Sequence, residues 1–193
     1  MLLTSQVVKS SSKESEAFSA CVDEFGIRLD DLSQASGVSL NMLREFKKGN
    51  TTSFKSIWLT NLVYALLPGE RAYYQAMIVI QHAVEDARIN LPLLQFDRIV
   101  DGSDIYRQAL EKMVEIFNID MVFLCRSSGL KEPNVSRWRR CKADFELDSL
   151  DKIKAVLTPE QRNFFFAVVD ILYTLNLPTK QHRPTQTKLS LAA

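Results

Sequence analysis

Apolar residues recur at intervals of three and four along most of the chain, which is the spacing of one buried face of an α-helix. The pattern starts at Ala17 and is interrupted at Gly26, at Gly37 and again at Pro68-Gly69. The chain has only six glycines and six prolines, fewer than a β-sandwich or barrel usually needs. The sequence therefore predicts an all-α protein. The predicted helices of its first half cover residues 17–25, 29–36, 40–48, 54–67 and 70–87.

The same plan starts again at Ile105, which predicts a duplicated five-helix unit. Thr158 and Gln161 form a capping-box sequence that opens the last helix. A shift of 92 positions superimposes the two copies without a gap from Phe25 to Phe46. After the third helix the shift falls by one or two, which aligns Leu67 with Leu157. The coinciding pairs are Phe25 and Phe117, Ile27 and Ile119, Leu32 and Leu124, Gly37 and Gly129, Leu43 and Val135, and Phe46 and Trp138. The predicted helices of the second copy cover residues 106–117, 121–127, 133–140, 147–157 and 158–175.

This repeat predicts two domains with three flanking segments. Residues 1–16 are predicted to be a flexible leader, because the stretch before the first helix is polar and rich in serine. The segment between the domains contains too many apolar residues for a free linker and is expected to pack against them. The end of the chain has basic residues, no acidic ones and little apolar content, which predicts a flexible basic tail. The predicted boundaries are 17–87 and 105–177 for the domains, 88–104 for the packed connector and 178–193 for the tail.

Each copy contains a segment with the spacing of a helix-turn-helix. In the first copy, Leu32 and Ser33 lie on the second helix, and Gly37 follows where a sharp turn favours a positive φ. Leu43 and Phe46 come next, at the positions that would hold the third helix against the domain and leave its other face free. The two segments are LDDLSQASGVSLNMLREFKKG (Leu29–Gly49) and MVFLCRSSGLKEPNVSRWRRC (Met121–Cys141).

Both segments resemble the helix-turn-helix of the lambda-repressor and Cro-like family, also called the xenobiotic-response-element family. The resemblance implies two tandem five-helix lambda-repressor-like helix-turn-helix domains. It also implies sequence-specific binding of double-stranded operator DNA through recognition helices in the major groove, and hence a transcriptional regulator, with repression as the expected effect. A regulator of this kind would be cytoplasmic and associated with the nucleoid.

The family reads bases with the third, fourth, fifth and eighth residues after the turn glycine, and it binds phosphates around them. Asparagine can form a bidentate pair with adenine and arginine with guanine. The family's base-reading positions are Leu40, Asn41, Met42 and Glu45 in the first copy and Glu132, Pro133, Asn134 and Arg137 in the second. The side chains predicted to bind phosphates are Arg44, Lys47, Lys48, Arg139, Arg140 and Lys142. Lys131 and Ser136 complete the predicted DNA-binding set.

Charge is concentrated on the two predicted recognition segments, although the whole chain has a net charge of only +1. Residues 39–56 contain four basic residues and one acidic residue, a net charge of +3. Residues 126–142 contain six basic residues and one acidic residue, a net charge of +5. A local basic patch of this kind is typical of a DNA-binding protein, and it predicts tighter DNA contact by the second copy.

The sequence contains no pattern typical of catalysis or of cofactor binding. Its two histidines are isolated, and no phosphate-cradling glycine loop, paired-carboxylate site or Ser-His-Asp set is visible, so neither an enzyme nor a small-molecule ligand is expected. The three cysteines lack metal-ligand spacing, and Cys125 and Cys141 are interpreted as buried structural thiols. No apolar run reaches the length of a membrane span.

Two alternatives remain open from the sequence. The fifth helix of each copy is unusually apolar, so these helices could pack on each other within the chain or form a homodimer interface, of which the homodimer is favoured. The near-neutral net charge and the single asparagine on the first recognition helix favour a second function. In that alternative the chain is a duplicated helical module that binds another regulator, a toxin or a polymerase.

Overall fold

The computed structural model describes residues 12–51, 54, 56–89, 96, 105–143 and 147–176. Every regular element in these ranges is an α-helix, so the all-α prediction is confirmed. All helix boundaries except the start of the first helix agree with the predicted ones to within two residues. The helices are α1 (Ser12–Phe25), α2 (Leu29–Ser36), α3 (Leu40–Lys47), α4 (Ser56–Ala65), α5 (Pro68–Asp86), α6 (Ile105–Ile116), α7 (Met121–Ser128), α8 (Glu132–Arg139), α9 (Leu147–Val156) and α10 (Pro159–Asn176).

The first helix begins earlier than the sequence predicts. Helix α1 starts at Ser12, so residues 12–16 are helical and their assignment to a flexible leader is wrong. Ser15 is buried, and its hydroxyl donates a hydrogen bond of 2.5 Å to the carbonyl of Phe46. Lys13 forms an ion pair with Glu85 of α5. These partners are distant in the sequence, which explains why the local polar composition gave no sign of them.

The backbone of α1–α3 repeats in α6–α8 with the predicted shift of 92. A residue with positive φ follows each of the helices α1, α2 and α3. The second half has a residue with positive φ at each of the three equivalent positions. The pairs are Gly26 (59°) and Asn118 (48°), Gly37 (70°) and Gly129 (70°), and Gly49 (73°) and Cys141 (56°). Cysteine has a side chain that disfavours this region by roughly 1–2 kcal/mol, so the fold imposes the conformation at Cys141.

From α4 onward the equivalent positions are 91 residues apart. Arg71 donates to the carbonyl of Leu66 at 3.1 Å, and Arg162 donates to the carbonyl of Leu157 at 3.3 Å. Both arginines thus satisfy the carbonyl groups left unpaired where the preceding helix ends. The predicted alignment of Leu67 with Leu157 is wrong by one residue, because Leu157 corresponds to Leu66. The shift changes between α8 and α9.

The capping box predicted at the start of α10 is confirmed. The backbone N–H of Thr158 donates to the side-chain oxygen of Gln161 at 3.0 Å, and the N–H of Gln161 donates to the Thr158 hydroxyl at 3.3 Å. Helix α5 uses the equivalent position, where the carboxylate of Glu70 accepts from the N–H of Leu67 at 2.9 Å. Both long helices therefore begin with a side chain that satisfies a backbone N–H at the helix start. Helix α4 ends before Pro68, as the sequence predicts, and Pro68 is the first residue of α5, two residues earlier than the predicted start at Glu70.

Helices within each half of the chain pack in the same pattern. In the first half α1 contacts α3 and α5, while α2 contacts α3 and α4. In the second half α6 contacts α8 and α10, while α7 contacts α8 and α9. An edge-to-face aromatic pair is repeated as well. The distance between ring centroids is 5.4 Å for Phe25 and Tyr73 and 5.3 Å for the equivalent pair, Phe117 and Phe164. The duplication read from the sequence therefore extends to the tertiary contacts.

The fifth helices of the two halves, α5 and α10, pack against each other within the chain. Ile80 and Ile171 occupy equivalent positions on these helices, and both are fully buried. The start of α5 lies against the end of α10, where a Cβ at Gly69 would come within 3.5 Å of the Thr174 methyl group. Buried residues of both halves belong to one hydrophobic cluster. The intrachain arrangement that the sequence left open is thus observed, while the homodimer stays a prediction.

Three predicted segments lie largely outside the described residues. These are residues 1–11 of the leader, most of the connector, and the tail over residues 178–193. Of the connector, residues 88 and 89 extend beyond α5, and Phe96 is half-buried and packs against the core.

Candidate nucleic-acid interface

A tight turn joins α2 to α3. Gly37 ends α2 with a φ of 70° and donates its N–H to the carbonyl of Ser33 at 3.0 Å. The Ser33 hydroxyl donates to the carbonyl of Val38 at 2.6 Å, which ties the turn to the preceding helix. Ser39 then caps α3 by accepting from the N–H of Met42 at 3.4 Å. The turn therefore holds the two helices in one fixed arrangement.

The inner face of α3 is anchored by aromatic packing. Leu43 and Phe46 are fully buried. The Phe46 ring stacks on Phe54 at 4.3 Å and lies 5.3 Å from the ring of Phe18 in α1. These contacts direct the opposite face of α3 toward solvent.

The same construction joins α7 to α8. Asp120 caps α7 by accepting from the N–H of Val122 at 2.9 Å, and Gly129 ends it with a φ of 70°. Val135 and Trp138 are buried at the positions equivalent to Leu43 and Phe46. Pro133 lies in the first turn of α8, where its missing N–H costs no hydrogen bond.

The outer face of α3 is polar but partly neutralised. The predicted DNA-binding residues Asn41, Arg44 and Glu45 are exposed, whereas Met42 is half-buried against the core. The Asn50 amide donates to the Glu45 carboxylate at 3.0 Å, and Lys48 donates to it at 3.3 Å. These hydrogen bonds, followed by the positive charge of Lys48, hold the pKa of Glu45 below its ordinary value. A negative charge is therefore maintained in the middle of this face.

The outer face of α8 carries a stronger positive charge. Lys131, Asn134 and Arg137 are exposed, and among the described residues none of these side chains has a hydrogen-bonding or ion-pair partner. Arg140 is exposed as well, and its guanidinium donates to the Ser136 hydroxyl at 2.5 Å. The predicted base-reading arginine, Arg137, is thus available on this surface.

Two of the predicted phosphate-binding cations are engaged elsewhere. Lys47 and Arg139 are equivalent in the repeat, and each pairs with a carboxylate on the first helix of its own half. Lys47 lies 2.6 Å from Asp23 of α1. Arg139 donates from two nitrogens to Glu111 of α6, at 2.5 and 2.7 Å. The hydrogen bonds that it donates to Glu111 raise the pKa of the Arg139 guanidinium. These pairs attach α3 to α1 and α8 to α6, so we assign both cations to positioning of α3 and α8.

The sequence carried no signal for the two carboxylate partners. Asp23 and Glu111 lie on the first helix of each half, far along the chain from the cations that they bind. They do not occupy equivalent positions either, since a shift of 92 from Asp23 leads to Glu115. Only the packing of α1 against α3, and of α6 against α8, brings each pair together.

The two cysteines near α8 differ in environment. Cys125 is buried, and that burial raises the pKa of its thiol, as expected of a structural cysteine. Cys141 is exposed, so its interpretation as a buried thiol is wrong. It lies immediately after the end of α8, beside the exposed Lys142.

Comparisons with known proteins give no match: no protein-family model matches the sequence, and no curated protein or solved structure does. Within the part of the chain that the structure describes, no group of histidine, cysteine, aspartate or glutamate side chains is arranged to hold a metal ion. None of the described helices is long and apolar enough to cross a membrane.

Proposed function

We propose that the chain is a transcriptional regulator that binds specific sequences of double-stranded DNA. In this proposal α1–α5 and α6–α10 are two tandem five-helix lambda-repressor-like helix-turn-helix domains. Helices α3 and α8 are the recognition helices, which enter the major groove and contact base edges. The base-reading residues are Asn41 in the first domain and Asn134 and Arg137 in the second.

The observation that carries this proposal is the repeated α2–α3 and α7–α8 pair. In each pair a left-handed glycine closes the turn, two buried residues fix the second helix, and the outer face of that helix is polar. Such a helix buries one side for stability and presents the other side to a partner. Exposed asparagine and arginine on that side match the hydrogen-bonding pattern of purine edges.

Replacing Arg137 by alanine is expected to weaken binding to the cognate duplex by about 1–3 kcal/mol and to relax the preference at one base pair. The guanidinium has no partner within the described residues, so its loss leaves no unpaired group in the protein. Arg137→Lys is the matched control, because lysine keeps the charge but lacks the fork that recognises guanine. The lysine variant should therefore retain the salt dependence while losing the base preference. Binding titrations on the cognate and single-substituted duplexes measure both effects, and an unchanged base preference in the alanine variant would refute the assignment.

Two nearby cations are expected to respond differently to substitution. Lys142→Ala should weaken binding to every duplex and reduce the slope of log affinity against log salt concentration by about one, because one phosphate contact is lost. Arg139→Ala should leave that slope nearly unchanged, since Arg139 is already paired with Glu111. Affinity titrations over a series of salt concentrations test the contrast. If both variants reduced the slope of log affinity against log salt concentration equally, Arg139 would contact phosphate despite its ion pair with Glu111.

The second candidate function is a helical module that binds protein. It is favoured by the outer face of α3, where Glu45 engages Lys48 and Met42 is partly buried. Electrophoretic mobility shift on random genomic fragments at two salt concentrations separates the candidates. A DNA-binding regulator should retain a subset of fragments as salt rises. A protein-binding module should give no shift, or only a weak one that disappears uniformly with salt.

A further inference from the structure

The residues that fold the two halves are equivalent, but the residues on their outer recognition faces are not. With the shift of 92, Glu45 of α3 corresponds to Arg137 of α8, and Met42 corresponds to Asn134. A carboxylate accepts a hydrogen bond from the amino group of cytosine, whereas a guanidinium donates to guanine. Two surfaces with opposite charge at the same position cannot both recognise the same half-site.

A palindromic site is read by two identical surfaces, which a homodimer supplies. In this chain the apolar surfaces of α5 and α10 already cover each other. These two helices therefore join the two halves of a single chain, and their packing fixes α3 and α8 relative to each other through one continuous core.

We propose that one chain binds one non-palindromic duplex site, in which α3 and α8 contact two different half-sites. The α5–α10 packing sets the spacing of these half-sites. This inference rests on the proposed DNA-binding function and specifies its target. The half-site of α8 contains the guanine contacted by Arg137, and the half-site of α3 includes a base contacted by Asn41 or Glu45.

Selection from a random duplex library with the full chain, followed by footprinting and mass measurement of the complex, tests the inference. We expect a consensus of two dissimilar blocks, with one chain bound per duplex. Inserting five base pairs between the blocks should lower affinity at least tenfold, because half a helical turn places the second block on the opposite side of the duplex. Inserting five base pairs outside the blocks is the matched control and should change nothing.

Paired variants assign each block to its helix. Asn41→Ala with Glu45→Gln should relax the preference in one block only, and Asn134→Ala with Arg137→Ala should relax it in the other. Asn61→Ala and Asn163→Ala, at exposed positions of α4 and α10, are controls expected to leave both blocks unchanged. A palindromic consensus bound by two chains would overturn the inference while leaving the proposed function intact. A single block that responds only to the α8 variants would overturn it in the same way. If no duplex is enriched, the proposed function fails, and the inference fails with it.

Discussion

Replacing Phe46 by alanine should lower the free energy of unfolding by about 3–5 kcal/mol, a large part of the stability of a typical domain. The ring is fully buried, stacks on Phe54 at 4.3 Å and contacts Phe18 of α1. Removing it takes away apolar burial and leaves a cavity beneath α3. The same loss should detach α3, because Phe46 and Leu43 are the buried residues of that helix. Denaturant titration followed by circular dichroism measures the change.

Phe123→Ala is the matched control for that substitution. Phe123 is a phenylalanine in a short helix of the same length, but its side chain is 67% exposed. Truncating it should change the free energy of unfolding by no more than about 0.5 kcal/mol. Trp138→Ala, at the position equivalent to Phe46, should again cost about 3–5 kcal/mol. Similar effects for Phe46→Ala and Phe123→Ala would contradict the core role assigned to Phe46.

The features predicted from the sequence are those that depend on local spacing. Gly37 has the positive φ expected of the turn, and the shift of 92 leads to Gly129, which has the same backbone conformation. The spacing of apolar residues in a helix and the glycine of a turn depend on a few neighbouring positions, so both can be predicted without knowing the tertiary structure. The same holds for the capping box at Thr158.

The features that the sequence did not predict depend on contacts between distant segments. The start of α1 at Ser12 is stabilised by Phe46 and by Glu85, and the polar composition of this stretch suggested the opposite. The sequence predicts that Arg139 binds phosphate, because it lies at the end of a basic helix. In the structure the packing of α6 against α8 places Glu111 beside Arg139, and the two side chains form an ion pair. An ion pair leaves no periodic pattern in the sequence, so only the fold decides which charged side chains on the outer faces of α3 and α8 remain unpaired.

The packing of α5 against α10 should make the two halves unfold together. Ile80→Ala and Ile171→Ala remove equivalent, fully buried side chains, and each should cost about 2–5 kcal/mol. If one core spans both halves, either substitution destabilises the whole chain rather than its own half. The combined variant should lose roughly 4–10 kcal/mol if the two effects add, which approaches or exceeds the total stability of many domains.

The chain offers a separate fluorescent reporter for each half, because its two tryptophans are Trp58 in α4 and Trp138 in α8. In a Trp138→Phe background the signal reports on the first half, and in a Trp58→Phe background it reports on the second. Ile80→Ala should move the denaturation midpoint of both reporters by the same amount. Tyr173→Ala, at an exposed position of α10, is the control expected to move neither. A shift confined to the Trp58 reporter would mean that the halves are independent, and the fixed spacing of α3 and α8 would lose its structural basis.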